Sequence, residues 1–504
     1  MRASTLAGLS LLVATGALVA GTRPGAAAFS RSRWIAERAA NARFDGGVLP
    51  ATRAGFAGLL AETAPARPAP PLPPGPPNVR VSQDILPADG NADQPEPETE
   101  AEPSFALHPT NERIQLAGYQ ENRFADGGAA ALTAALSQDG GKTWSEQLVP
   151  ALTQVRGGPW ERASDPWVAY GPDGTAYYAS IAFYESDPRN AVLLSVSADG
   201  GRSWEPPATV HAVANGDFDD KEAVVVDGAA DSPYRGRVYV GWDTVTNGSQ
   251  QILRVAHSDD GVNFSPARDV YATGANIGCL PLVGPRGVAY LVWVSYGLSH
   301  GAILLSRSTD GGETWSAPAP VATERSRGVR GLRTGDGLPA AAIDPRTGKL
   351  YVAWTDDRFT PGTDQVLLAS SGDGGASWSA PRRVSDGPDD APAFTPAVAV
   401  TGQGQVGVAY STLRNDPSRR FLVDQYLTVT NLRGVFQRAR RMSTKSFDVR
   451  YAAIADGYFL GDYQGLAAGK TAFKPLWIAT SAPSLLDPRL NQPDAVTLAA
   501  GRRR

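Results

Sequence analysis

The chain has 504 residues, 42% of them hydrophobic, with 54 glycines and 40 prolines, a composition that favours many short strands and turns over long helices. A net charge of -4 with no basic stripe excludes a protein built to hold nucleic acid. A single cysteine, Cys279 in the apolar stretch GCLPLVGP, excludes an intrachain disulfide and reads as a buried, inert thiol.

In chain order, Arg2 precedes an apolar run from Leu6 to Ala20 and a small-residue stretch ending Ala26-Ala27-Ala28, the pattern of a cleaved export signal over residues 1–28. The run is shorter than the ~20 apolar residues that span a bilayer, so no membrane insertion is expected once the signal is removed. Residues 29–77 read as a polar-faced helical segment followed by a stiff proline-rich tether, and residues 78–504 as the folded body. Export without disulfides points to a secreted or periplasmic protein. His108, His211, His257 and His300 show no metal-ligand spacing, and neither a phosphate loop nor a nucleophile elbow is present.

Within the body one signature recurs: Ser, any residue, Asp, Gly, Gly, any residue, Thr or Ser, Trp, starting at Ser137, Ser197, Ser308 and Ser371. A shorter copy, SDDGVNF, starts at Ser258 with Phe264 in place of the Trp. Successive intervals of 60, 61, 50 and 63 residues mark a repeat architecture. Each copy sits between two short strands and reads as a hairpin clasp, its Ser and Asp bonding turn amides and its glycines accepting positive φ. Two further strands precede each clasp, giving a four-stranded antiparallel unit, the blade of a β-propeller. First-strand starts near Glu102, Asp165, Lys221, Leu280, Leu338, Thr395 and Tyr463 predict seven blades, with six as the competing count. The last unit lacks a fourth strand, which NVRVSQD from Asn78 would supply, closing the ring and removing its exposed edges.

The clasps and their spacing resemble the Asp-box, or bacterial neuraminidase repeat, propellers of the sialidase-like group, from about Asn78 to the C-terminus. The resemblance implies an all-β propeller whose clasps lie away from the ligand-binding mouth. It also implies glycoside hydrolysis as a candidate activity, through an arginine triad for the substrate carboxylate, a Tyr nucleophile polarised by Glu, and an Asp acid/base.

The first-strand starts and second-strand ends share one rim of such a ring. Charge at the first-strand starts is confined to Glu102, Asp165, Lys221 with Glu222, and Asp462 beside Tyr463, all in neighbouring blades of a closed ring. Second-strand ends carry Arg123, Arg358 and Arg414, planar forks suited to carboxylate. Position and residue type thus nominate Tyr463, Glu222 and Asp165 for catalysis, and Arg123, Arg358, Arg414, Glu102, Lys221 and Asp462 for substrate binding. Arg113-Ile114 is followed by Gln115 where the family has proline, so none of these roles is transferred by motif. The structural alternatives are an ion network tying blades together and arginines paired locally with acids such as Glu121 or Asp357. No cofactor is expected, with calcium on Glu102, Asp165 and Asp462 a minor alternative. The functional expectation is an exported, monomeric, sialidase-like hydrolase; the alternative is a non-catalytic propeller binding a protein or cell-surface glycan at the same rim.

Overall fold

The computed structural model describes residues 73–86, 98–124, 126–246, 250–296, 301–335, 337–482 and 493–499. The expected export signal and residues 29–72 of the extension lie outside them. Among the described residues no helix is long and apolar enough to cross a membrane.

The architecture is all-β, built from consecutive four-stranded antiparallel units. Their inner strands are Glu100–Leu107, Arg162–Tyr170, Phe218–Val226, Ala275–Val283, Ala340–Ile343, Ala393–Val400 and Gly465–Ala468. Each inner strand pairs with the next strand outward, so every unit is a meander from the centre to the periphery. The last unit takes its outer strand from the start of the chain: Asn78, Val79 and Arg80 pair antiparallel with Leu498, Thr497 and Val496. This is a β-propeller, closed by its N-terminal strand.

Among the described residues the apolar side chains form no single core but lie between successive sheets. One cluster joins Tyr177, Ile181 and Val192 of the second unit to Val224, Val240 and Trp242 of the third. Another joins Val81, Phe105 and Tyr119 near the chain's start to Ala467, Leu476 and Ala495 near its end, so the final sheet packs on the first. Because sheets stack on both faces, middle strands such as Ala129–Ser137 are buried at every position and read as continuous apolar runs instead of alternating ones. Cys279 lies in such an interface, buried beside Leu253 and Trp293, consistent with an inert thiol. Trp242, Trp293 and Trp354 recur in second strands, fully buried. Their indole N–H groups donate to Asp219, Asn276 and Asp356, satisfying the one polar atom that each ring buries.

The recurrent signature is a turn clasp. In the copy at Ser308 the hydroxyl donates to Asp310 Oδ1 at 2.8 Å and accepts from the Gly312 amide at 2.8 Å. Asp310 in turn accepts from the Thr314 amide at 3.0 Å and the Thr314 hydroxyl at 2.5 Å. Gly311 and Gly312 adopt φ of 76° and 92°, which side-chain-bearing residues rarely do. The copies at Ser137, Ser197 and Ser371 repeat these bonds, and the short copy at Ser258 does so with Asn263 replacing Thr.

Hydrogen bonds from Thr314 hold the Asp310 carboxyl at about 2, and those from Ser377 do the same for Asp373, against an ordinary value of 3.8. Depressed folded-state values stabilise the fold above the unfolded value and lose that contribution as pH falls through the folded one. The urea midpoint is therefore expected to drop between pH 3.8 and about 2, and Asp310→Asn to remove part of that drop. An unchanged acid limb in the variant would show that the clasps do not couple to protons.

Candidate functional site

Five inner strands share one irregularity near their start. Their pairing with the second strand slips between Ala101 and Ser104, Ser164 and Trp167, Asp220 and Ala223, Ile277 and Leu280, and Phe394 and Ala397. The residue in the slip is left-handed each time: Glu102, Asp165, Lys221, Gly278 and Thr395, with φ of 54°, 53°, 51°, 76° and 47°. These are β-bulges, which bend a strand and re-aim one side chain. Proline follows Glu102, Asp165 and Thr395, and its missing N–H leaves no ladder donor unpaired at the break. Left-handed non-glycine residues cost energy and concentrate at functional positions. The charged residues at the expected strand starts thus lie a few residues inside the observed strands.

The structure brings four of the nominated residues together. Lys221 Nζ lies 3.3 Å from Glu102 Oε1, 3.1 Å from Asp165 Oδ1 and 2.8 Å from Asp462 Oδ2. Glu102, Asp165 and Asp462 are buried, and the Lys221 side chain is only 9% exposed. Lys221 already takes the central position that a calcium ion would need, so this cluster does not fit the calcium alternative.

The carboxyls around it are unequal. Burial and the neighbouring Asp165 push Glu102 up to about 8, despite Lys221. Burial also raises Asp165, against the pull of Lys221. Asp462 is held well below the ordinary range because Arg333 and Lys221 outweigh its burial. A protonated and an ionised carboxyl thus share one lysine, the separation that acid and base roles require.

Arg333 was not singled out in the sequence. Its Nε donates to Asp462 Oδ1 at 2.8 Å and its Nη2 bonds Asp462 Oδ2. Arg333 and Arg123 both lie over the Phe459 ring, at 4.7 and 4.6 Å from its centroid. Phe459 and Arg333 belong to a small three-stranded sheet of Leu332–Arg333, Ala453–Ile454 and Tyr458–Phe459, formed by the connections before the fifth and last units. Gln120 was missed as well; its amide donates to Glu102 Oε2 at 2.5 Å and Ser164 Oγ at 2.9 Å.

The expected meeting of Arg123, Arg358 and Arg414 is corrected by their bonds. Arg358 pairs with Asp356 and the Thr323 carbonyl, and Arg414 with Asp386 at 2.7 Å. Arg123 donates to the Phe124 and Gly128 carbonyls at 3.0 and 3.4 Å, so the three arginines share no partner. The local acids differ too: Arg358 takes Asp356 in place of Asp357, and Arg123 is held by carbonyls in place of Glu121.

Tyr463 packs 5.1 Å from Trp167, ring to ring, and its hydroxyl donates to the Pro166 carbonyl at 3.0 Å. Burial and the nearby Glu102 and Asp165 carboxyls raise this phenol well above its usual value. Glu222 is buried with neither carboxylate oxygen hydrogen-bonded, and burial, then Asp165, push its carboxyl well up. The expected polarisation of Tyr463 by Glu222 is therefore absent: the phenol does not donate to that carboxylate. A small cavity beside Tyr463 is lined by Pro103, Thr395, Ser411, Gln425, Gln464 and Trp477 among others.

Gly461 lets the Asp462 segment reach this cluster. It has φ of 136°, and an added Cβ would come within 2.7 Å of the Glu102 amide nitrogen. Gly461→Ala is expected to cost about 1–3 kcal/mol of stability. Urea unfolding measures it, and a loss below a few tenths would mean that the close approach is not needed.

Known proteins bear on this geometry. A family model described as BNR/Asp-box repeat matches residues 306–317. The chain carries the Asp-box repeat. The chain is 35% identical over 103 residues to a sialidase of Bacteroides fragilis (strain YCH46), a match covering 17% of this chain and 19% of that protein. It therefore spans about a fifth of that relative's length. Among solved structures, the Hadza microbial sialidase Hz136 superposes with a TM-score of 0.44 and 15% identity, covering 68% of this chain and 66% of that one. The Trypanosoma rangeli sialidase in complex with the inhibitor DANA gives 0.42 and 15%, covering 73% and 60%. The Fusarium graminearum GH93 alpha-L-arabinofuranosidase in complex with arabinobiose gives 0.43 and 14%, covering 66% and 92%.

Proposed function

We propose that the chain is an exported, seven-bladed propeller that binds glycans at the channel mouth and hydrolyses them in the manner of sialidase-like glycoside hydrolases. The supporting observation is the Lys221 cluster, in which Glu102, Asp165 and Asp462 from neighbouring units meet on one amino group. Laid end to end, the Lys221 contacts of Glu102 and Asp462 keep those two carboxyls well inside the ~10 Å that separates catalytic pairs in glycosidases. In this reading the Glu102–Asp165 pair holds the proton for the leaving oxygen. Asp462 and Arg333 set the charge of the mouth, and Arg123 and Arg333 bracket the entry over Phe459. Tyr463 acts as nucleophile only after leaving the Pro166 carbonyl.

That last requirement favours a second reading, a non-catalytic propeller binding a protein or glycan at the same rim. In it the lysine-locked carboxylates serve recognition, and Arg358 and Arg414 remain structural. A panel of fluorogenic sialosides, arabinofuranosides and other glycosides, assayed beside Tyr463→Phe, separates the two. Turnover lost in the variant supports the hydrolase; no turnover on any substrate, with glycan or protein capture retained, supports the binding propeller.

A further inference from the structure

A second carboxylate group lies at the seam where the start of the chain meets its end, apart from the Lys221 cluster. Asp84 follows the closing strand Asn78–Arg80, Asp494 lies in its partner strand Pro493–Leu498, and Glu100 opens the inner strand of the first unit. One carboxylate oxygen from each lies within 4.8 Å of the others. Glu100 is 0% exposed, and neither of its oxygens has a hydrogen-bond partner. Asp84 Oδ1 is also buried without one.

The charges do not balance as they do around Lys221. Arg80 reaches in with its side chain 48% exposed, 2.5 Å from Asp84 Oδ2 and 2.6 Å from Asp494 Oδ1. It forms no hydrogen bond with Glu100. Glu121, directly across the strand pair from Glu100, adds a further buried carboxyl whose Oε1 is unpartnered, while its Oε2 accepts from Thr133. An ionised carboxylate buried without a partner is costly, and that cost persists in folded proteins where a proton or a metal ion offsets it. The unpartnered oxygens of Glu100 and Asp84, converging with Asp494, are what a bound cation would satisfy.

We propose that this seam is a calcium site, with Asp84, Glu100 and Asp494 as ligands, and that the ion staples the N-terminal strand to the ring. The donors are all hard carboxylate oxygens, the set that selects calcium or magnesium over softer metals. Coordination decides between the two: calcium accepts a flexible shell of protein carboxylates, whereas magnesium demands near-ideal octahedral geometry and keeps several waters. Three carboxylates on separate segments, with oxygens within 4.8 Å of one another, suit the more flexible ion. Ser82 donates to Asp494 Oδ1 at 3.2 Å and orients that ligand from the closing segment. Because the three ligands come from opposite ends of the chain, the ion binds the closed ring and not the unfolded chain, and its binding free energy adds to closure.

The test titrates calcium chloride into the full chain stripped with chelator, by calorimetry and by thermal unfolding. One site per chain is expected, with a dissociation constant of about 10⁻⁴–10⁻³ M and a Tm raised by about 2–4 °C near saturation. Glu100→Gln keeps the side chain's shape, removes the buried charge, and is expected to abolish both responses in a folded protein. Asp494→Asn gives the same readout if that variant does not fold. No heat and no Tm shift in the wild type would overturn the proposal, as would calcium binding that survives in the folded variants or an equal response to magnesium.

Discussion

Lys221→Met is expected to destabilise the protein by about 3–5 kcal/mol, the usual cost of leaving buried charges without their partner. The lysine is the shared counter-ion of Glu102, Asp165 and Asp462, and its removal does not affect them equally. Asp462 keeps Arg333, and Glu102, already pushed up to about 8, takes a proton at neutral pH. The loss therefore falls mainly on Asp165, whose bulged strand holds it in place. Asp165, Asp462 and Glu102 raise the Lys221 amino group well above its ordinary value of 10.5, against its burial. A raised folded-state value stabilises the fold fully below the unfolded value, and that contribution is lost as pH rises through the higher folded one. The deficit of the variant should consequently be present at neutral pH and shrink toward acid, where Asp165 can protonate. Urea unfolding at several pH values measures this, and adding Asp165→Asn to Lys221→Met should recover a large part of the loss. A deficit under 1 kcal/mol, insensitive to pH, would mean that water, not lysine, neutralises the channel.

The repeat made the architecture readable because a clasp is local: Ser308, Asp310, Gly312 and Thr314 bond one another within seven residues, so their chemistry appears as a motif. The site became readable only through the ring. Glu102, Asp165, Lys221 and Asp462 are far apart in sequence and acquire meaning from their equivalent places in successive units. Arg333 and Phe459 escaped because they come from connections outside the repeat, where no register marks a position. The only sequence signal there is length and glycine, in RGVRGLRTGDG and IADGYFLGD. The arginine reading failed for a related reason. An aromatic followed by Arg recurs at second-strand ends, but Arg358 and Arg414 each sit within reach of a nearer acid, and a short local ion pair forms before a distant convergence. The left-handed bulges left no pattern except the proline that follows three of them.

Under the proposed hydrolytic function, turnover is expected to fall as pH rises through about 8, because that is where the Glu102 carboxyl gives up its proton. Below this value Glu102 can protonate a leaving oxygen; above it the Glu102 carboxylate can only accept. The direction is opposite to that of a depressed carboxyl such as Asp462, which stays ionised throughout and supplies no alkaline limb. Glu102→Gln is expected to lower kcat by about 10²–10⁴-fold, the usual contribution of a positioned proton donor, with a much smaller change in KM. In the variant the amide oxygen can still accept from Lys221, and its NH2 can donate to Gln120 once that amide turns its unpartnered Oε1 toward it, so packing is kept and the proton alone is removed. The fold itself imposes a competing alkaline effect. A carboxyl whose folded value is raised stabilises below the unfolded value of 4.5 and loses that contribution up to about 8. Circular dichroism across the same pH range separates loss of structure from loss of the acid. If turnover keeps its alkaline limb in folded Glu102→Gln, the proton comes from another group, and Asp165→Asn becomes the variant that carries the assignment. If kcat is unchanged in both, the cluster is a recognition surface, and the buried lysine holds the ring instead of serving a reaction.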